Sequence, residues 1–274
     1  MKTRAFILIL FIQASTTALA NPLTNKPAIP QVCRITYGIK DHSGVFKRVG
    51  YCLGTLIGAP GAESSDQLLT AGHCAPEKIF KAFKDYLPRM PQVVRDEWDE
   101  RIRKGKKIIN LACGSEEREI AEAKTQVHPE YSSVALWLWM RMIKERIEPY
   151  PVDLAMIHLK APISIPPLAV NDATVDQVLH EKLDCFVTTL SPDGNQIALN
   201  LADKLYSEEL IPVLALREEP EPLIKAGDSG GPLVCRDGEG YRLAGVNSLM
   251  FEKLHASFIQ HITPEIVKWL SAKK

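Results

Sequence analysis

Along this chain apolar residues recur mostly in short alternating runs. The segments Arg34–Lys40, Arg48–Ile57, Gln67–Ala71, Lys107–Ala112, Ile120–His128, Leu154–Leu159, Cys185–Leu190, Ile211–Leu216, Pro232–Arg236, Tyr241–Phe251 and Ala256–Ile262 read as strands. Gly, Pro, Asp and Ser clusters separate many of them, which points to an all-β sandwich or barrel. Strands and helices do not alternate regularly, so the pattern does not fit a parallel α/β sheet.

Two stretches and the C-terminus break the β pattern. Pro76–Lys106 carries Ile79, Phe80, Phe83, Tyr86 and Leu87 at helical spacing, then a charged run. Its basic part, Arg101–Lys107, reads as a solvated helix end. Trp137–Ile147 is also helical in character. Thr263–Ala272 opens with a capping Thr and Pro264, with Ile266, Val267 and Leu270 on one face. The expectation is two helical insertions, about 76–106 and 136–148, and a terminal helix.

The first residues follow a different logic. Lys2 and Arg4 precede an unbroken apolar run, Ala5–Ile12, and Ala18-Leu19-Ala20 matches the small-x-small cleavage pattern. The run is too short to span a bilayer, which needs about 20 residues. Residues 1–20 therefore read as a signal peptide, and the mature protein, beginning at Asn21, as secreted or periplasmic and not inserted in a membrane.

Composition agrees with a globular protein: 46% of the 274 residues are hydrophobic, and 33 basic side chains balance 33 acidic ones. Zero net charge gives no electrostatic reason to expect a nucleic-acid partner. Six cysteines (Cys33, Cys52, Cys74, Cys113, Cys185 and Cys235) follow the signal segment. An exported chain with an even number favours disulfides, although six allow 15 pairings. Without a Cys-x-x-Cys pair, no metal site is expected.

The most specific stretch is Gly227-Asp228-Ser229-Gly230-Gly231-Pro232. Glycines on both sides of a serine let the backbone turn sharply and present a hydroxyl and adjacent N–H groups to one point. Acyl transfer needs that arrangement, a nucleophile beside donors for the developing oxyanion. The hydroxyl also needs a base, and His73 in Thr70-Ala71-Gly72-His73-Cys74 is the candidate. A carboxylate should fix the imidazole tautomer, and Asp153 stands at the mouth of the apolar strand Leu154–Leu159.

Together the blocks TAGHC, DLAMIHL and GDSGGPLVC resemble the signatures of the trypsin/chymotrypsin-like serine proteases, in that family's order, 80 and 76 residues apart. Tyr51–Ile57, His128–Tyr131, Val246–Ser248 and Ile262–Leu270 are similar to further family segments. The resemblance implies two six-stranded antiparallel β-barrels, about 33–160 and 166–274, with the site between them. It implies Ser229 as nucleophile, His73 as general base, Asp153 as its orienting partner, and the Gly227 and Ser229 N–H groups as the oxyanion hole. It pairs Cys52 with Cys74 and Cys185 with Cys235, which leaves Cys33 with Cys113. The implied activity is a monomeric serine endopeptidase acting on a protein or peptide substrate, without cofactor.

The chain departs from that family in three ways. No Ile-Val-Gly-Gly start is present to supply an amine to Asp228, so Asp228 is expected to be paired internally and the enzyme competent without trimming. The rival is a zymogen activated near Arg34. Lys225 stands where the family carries a cysteine, and Leu223, six residues before Ser229, would make the specificity pocket apolar or else serve as a plain core residue, with Ser248 on the substrate-pairing strand. Finally, Trp137, Trp139, Met140 and Met142 would form a lid, an exosite or simple packing between insertions. Two rival readings stand beside the endopeptidase. One is an esterase of the α/β-hydrolase type using Asp237 with His255 or His261. The other is an inactive binding module on a protease fold.

Overall fold

The strand Val32–Lys40 (β1) converts the sequence pattern directly into structure. Its alternate residues Cys33, Ile35, Tyr37 and Ile39 are all buried, the period of two that a pleated strand imposes. It pairs antiparallel with Phe46–Leu56 (β2) on one side and Lys106–Cys113 (β4) on the other. The structure, a computed structural model, describes residues 29–272 except 121–122, 134–151, 171–183, 191–195, 201–204, 208–212, 218–223, 239 and 252–255.

The first sheet is completed by Ser65–Thr70 (β3), Glu116–Ile120 (β5), Lys124–Val127 (β6) and Ala155–Ile163 (β7), in the order β5-β4-β1-β2-β3-β7-β6. The second contains Cys185–Leu190 (β8), Gln196–Asn200 (β9), Leu205–Ser207 (β10), Val213–Arg217 (β11), Pro232–Asp237 (β12), Gly240–Phe251 (β13) and Ala256–His261 (β14). Its order is β10-β11-β14-β13-β12-β8-β9. The expected all-β class, two antiparallel units with helical additions, is the fold observed.

Among the described residues each sheet has seven strands where six were expected. In the first, Ile120–His128 is not one strand: β5 turns back on β4, while β6 joins β7. In the second, β9 and β10 are short runs with too little alternation to announce themselves.

Helix α1 (Pro76–Tyr86) follows His73 closely, with Pro76 in its first turn, where a missing N–H costs nothing. Phe80 is buried edge-on to Tyr37 of β1, with ring centres 6.2 Å apart. Helix α2 (Gln92–Lys104) buries Trp98 against Phe83 of α1 at 4.6 Å. Arg101, expected in solvent, instead folds back to Asp41 on the β1–β2 turn at 2.8 Å. The second expected insertion and the signal segment lie outside the described residues. Helix α3 (Pro264–Ser271) is capped by the Thr263 side chain, which accepts from the Ile266 N–H. Its Trp269 meets the His128 ring edge-on at 4.8 Å, so the C-terminal helix leans on the first half of the chain. Among the described residues no helix is long and apolar enough to cross a membrane.

Three disulfides join Cys33 to Cys113, Cys52 to Cys74, and Cys185 to Cys235. The first closes a loop of 80 residues that contains α1 and α2. Replacing both Cys33 and Cys113 by Ala should lower stability by about 2–5 kcal/mol, because the unfolded chain regains the freedom of that loop. Denaturant unfolding of the double variant measures it, with a lower midpoint expected.

Candidate active site

The chain leaves β3 at Thr70 and turns through one 3₁₀ segment, Gly72–Cys74, which presents His73 at the sheet's end. The disulfide to Cys52 pins this segment to β2, and the buried Tyr37 hydroxyl donates to the Cys74 carbonyl at 2.5 Å. Gly72 is required here: a Cβ would lie 2.7 Å from the Tyr131 ring and 3.0 Å from Asp153 Oδ1.

β3 pairs with β7, with Thr70 opposite Ala155, so Asp153, two residues before that position, arrives beside the His73 turn. Asp153 Oδ1 accepts from the His73 backbone N–H at 2.9 Å, and Oδ2 accepts from His73 Nδ1 at 2.8 Å. Ser248 Oγ also donates to Oδ2, at 2.5 Å. Gln260 Oε1 accepts from the Asp153 N–H at 3.3 Å. Asp153 is fully buried, whereas the His73 side chain keeps 26% of its exposure. With Nδ1 donating to the carboxylate, the neutral ring offers Nε2 as its acceptor.

Burial opposes charge on both partners, and their mutual attraction overrides it. His73 is held above the ordinary imidazole range because the Asp153 carboxylate and its hydrogen bond outweigh desolvation. Asp153 is held below the usual carboxylate range for the reciprocal reason, helped by the Ser248 hydroxyl. The stabilisation carried by charged His73 is therefore complete below the unfolded imidazole value of about 6.5 and fades as pH rises through the raised one. That carried by ionised Asp153 is present above about pH 4 and is lost as pH falls through its lowered value.

Ser229 comes from the second half of the chain, on the turn before β12. Its carbonyl accepts from the Leu53 N–H of β2 at 2.8 Å, and its hydroxyl donates to the Ser248 carbonyl at 3.3 Å. Contacts thus run unbroken from Ser229 through Ser248 and Asp153 to His73. The hydroxyl is directed at Ser248 O rather than at the His73 ring, a loose arrangement common before substrate arrives. Gly227 and Gly230 both have positive φ, +100° and +87°, a region that favours glycine. A Cβ on Gly227 would strike the Tyr51 ring at 2.0 Å, and one on Gly230 the Leu53 carbonyl oxygen at 2.1 Å.

The amides around the serine are divided in use. Those of Asp228, Gly230 and Gly231 donate to Lys225 O, Asn247 O and Asp228 O. Those of Gly227 and Ser229 have no acceptor among the described residues. Asp228 is buried, and its Oδ2 accepts from the Lys225 N–H at 2.8 Å.

Leu223 lies outside the described residues, as does His255. Ser248 is buried with its hydroxyl turned inward to Asp153, a part in the site that the sequence reading did not give it. Asp237 is occupied by Arg242 at 2.7 Å on the second sheet's surface. Cys52, His73 and Cys74 form the one grouping of metal-ligating types among the described residues, and its two sulfurs are bonded to each other, so no thiolate is available. Sequence reasoning also missed Gln260, Tyr37 and Tyr131. A polar Gln260 within the apolar run of β14 was the one local signal for that residue; Tyr37 read as part of the first strand, and Tyr131 as part of a family-like segment with no role in the site.

No family model matches the chain, and no curated protein does. Among solved structures, a mutant of the tobacco etch virus protease is similar at 11% identity over 93% of this chain and 83% of that one, with a TM-score of 0.49. Tobacco vein mottling virus protease matches at 12% identity over 96% and 89%, also at 0.49. A Glu endopeptidase in complex with MPD matches at 14% over 93% and 94%, again at 0.49. Likenesses this distant carry no residue's role from one chain to another.

Asp153→Asn should remove the charge that raises the His73 ring. NMR titration of labelled His73 is expected to place its midpoint above about 6.5 in the native protein and clearly lower in the variant.

Proposed function

We propose that the protein is a secreted, monomeric serine endopeptidase that hydrolyses peptide bonds through an acyl-enzyme on Ser229. The observation that carries this reading is the buried carboxylate of Asp153, which accepts from His73 Nδ1 while the Ser248 residue that also binds it holds the Ser229 hydroxyl. A carboxylate that fixes an imidazole and is linked through Ser248 to a serine whose own amide and that of Gly227 have no acceptor among the described residues is the arrangement that acyl transfer uses.

In the reaction, Ser229 Oγ adds to the scissile carbonyl as its proton passes to His73 Nε2. Asp153 keeps Nδ1–H in place and stabilises the imidazolium. The oxyanion is received by the Gly227 and Ser229 N–H groups, each such donor being worth roughly 3–4 kcal/mol of barrier. His73 returns the proton to the leaving amine, and water repeats the sequence to release the acid. The edge of β13 beyond Asn247, whose backbone is taken by Gly230 and Gly231, suits an extended substrate segment added as a further strand. The internal bond from Lys225 to Asp228 supports competence without a new N-terminus. One observation favours the alternative, an inactive binding module: the Ser229 hydroxyl bonds Ser248 rather than the imidazole.

A fluorophosphonate probe with intact-mass readout separates the two. One adduct on the untrimmed protein, absent in Ser229→Ala, is expected; no adduct on folded protein, either untrimmed or trimmed before Ile35, sinks the enzyme reading. Peptidase activity of Ser229→Ala should fall by about 10⁴-fold or more. Because neutral His73 is the base, kcat/KM should rise with pH through a midpoint above about 6.5; a midpoint well below it would contradict the raised imidazole.

A further inference from the structure

The nucleophile is bordered on one side by β13 and on the other by β2, where an aromatic ring and a cation stand together. The Tyr51 ring packs against Gly227, and its hydroxyl donates to the Ala226 carbonyl at 2.9 Å. Tyr51 as a residue remains 40% exposed. The Arg48 guanidinium lies over it, 5.5 Å from the ring centre, within the range of a cation–π contact. Arg48 is exposed, and among the described residues no carboxylate pairs with it.

This juxtaposition depends on an irregularity in β2. Residues three apart on a regular strand face opposite sides. Here Arg48 pairs with Gly38 and Gly50 with Tyr37, so Val49 is an extra residue in the ladder. The bulge brings Arg48 to the same face as Tyr51, two ladder positions away. Bulges next to active sites commonly re-aim a side chain in this way.

We infer that Arg48 and Tyr51 form a subsite for the leaving fragment of the substrate and select an acidic side chain within its first three residues. The inference rests on the peptidase reading above. If the acyl segment pairs with the edge of β13 at Ser248, the chain beyond the scissile bond passes Ser229 and crosses the Gly227–Tyr51 face toward β2. There it meets an unneutralised guanidinium held in place by a ring. A carboxylate is the complementary group for a fixed Arg fork, while a lysine at the same place would meet like charge.

Cleavage sites of the protein expressed from the full chain would first be mapped in a proteome-derived peptide library. The best sequence would then be remade with Glu, Gln or Lys at each of the first three leaving positions. At one position kcat/KM for Glu should exceed that for Lys by about 3–10-fold at low salt, an exposed ion pair being modest, and the ratio should shrink at high salt. The ratio should fall to near one in Arg48→Gln and invert in Arg48→Glu. Fluorophosphonate labelling of Ser229 together with cleavage that shows no acidic preference, or a preference that persists in Arg48→Gln, overturns the subsite alone. Absence of both labelling and cleavage overturns the peptidase reading and the subsite with it.

Discussion

One backbone hydrogen bond, from the Leu53 N–H to the Ser229 carbonyl, joins the halves of this molecule at the point where chemistry would occur. It requires the Ser229 turn to lie flat against β2, and only a residue without a side chain permits that at position 230. The Thr70 hydroxyl, which donates to Leu53 O at 2.6 Å, occupies the space a Gly230 Cβ would need. Thus the strand that leads to His73 and the turn that carries Ser229 are set against each other through β2. The Cys52–Cys74 disulfide fixes the remaining degree of freedom of the His73 turn.

The second constraint is the cost of burying a charge. An ionised carboxylate with no exposure is strongly disfavoured unless its oxygens are satisfied. Asp153 meets that requirement with donors from both halves of the chain, the His73 turn on one side and Ser248 on the other. The same bonds that make burial tolerable also orient the imidazole. Structural satisfaction and chemical positioning are here one set of contacts, so a change at Ser248 acts on both.

Much of this was legible in the sequence because it rests on local signals. Alternation in Val32–Lys40 and the helical spacing of Ile79, Phe80 and Phe83 reflect burial on one face, which any short window reveals. The glycines around Ser229 announced a backbone that no other residue follows easily. What stayed hidden depends on contacts remote in sequence. Gln260 meets Asp153 across 107 residues, and its polarity within an apolar run marks the residue but not its partner. The split of Ile120–His128 into two strands belonging to opposite ends of one sheet is likewise decided by partners, since the segment's own composition suits a single strand. Arg101 was misread for the same reason: its partner Asp41 lies 60 residues earlier.

The supports of Asp153 also have an order in time. A polypeptide is made from its N-terminus, and both Ser248, which donates to the Asp153 carboxylate, and Gln260, which accepts from the Asp153 backbone N–H, are added some hundred residues after Asp153. Without them Asp153 lacks the Ser248 donor to its carboxylate and the Gln260 acceptor for its amide, and the Leu53 N–H lacks the Ser229 carbonyl. The first half of the chain therefore leaves the ribosome without the residues that brace its His73–Asp153 pair, and the second half brings Ser229 together with Ser248 and Gln260. Assembly of the proposed site waits for the second sheet.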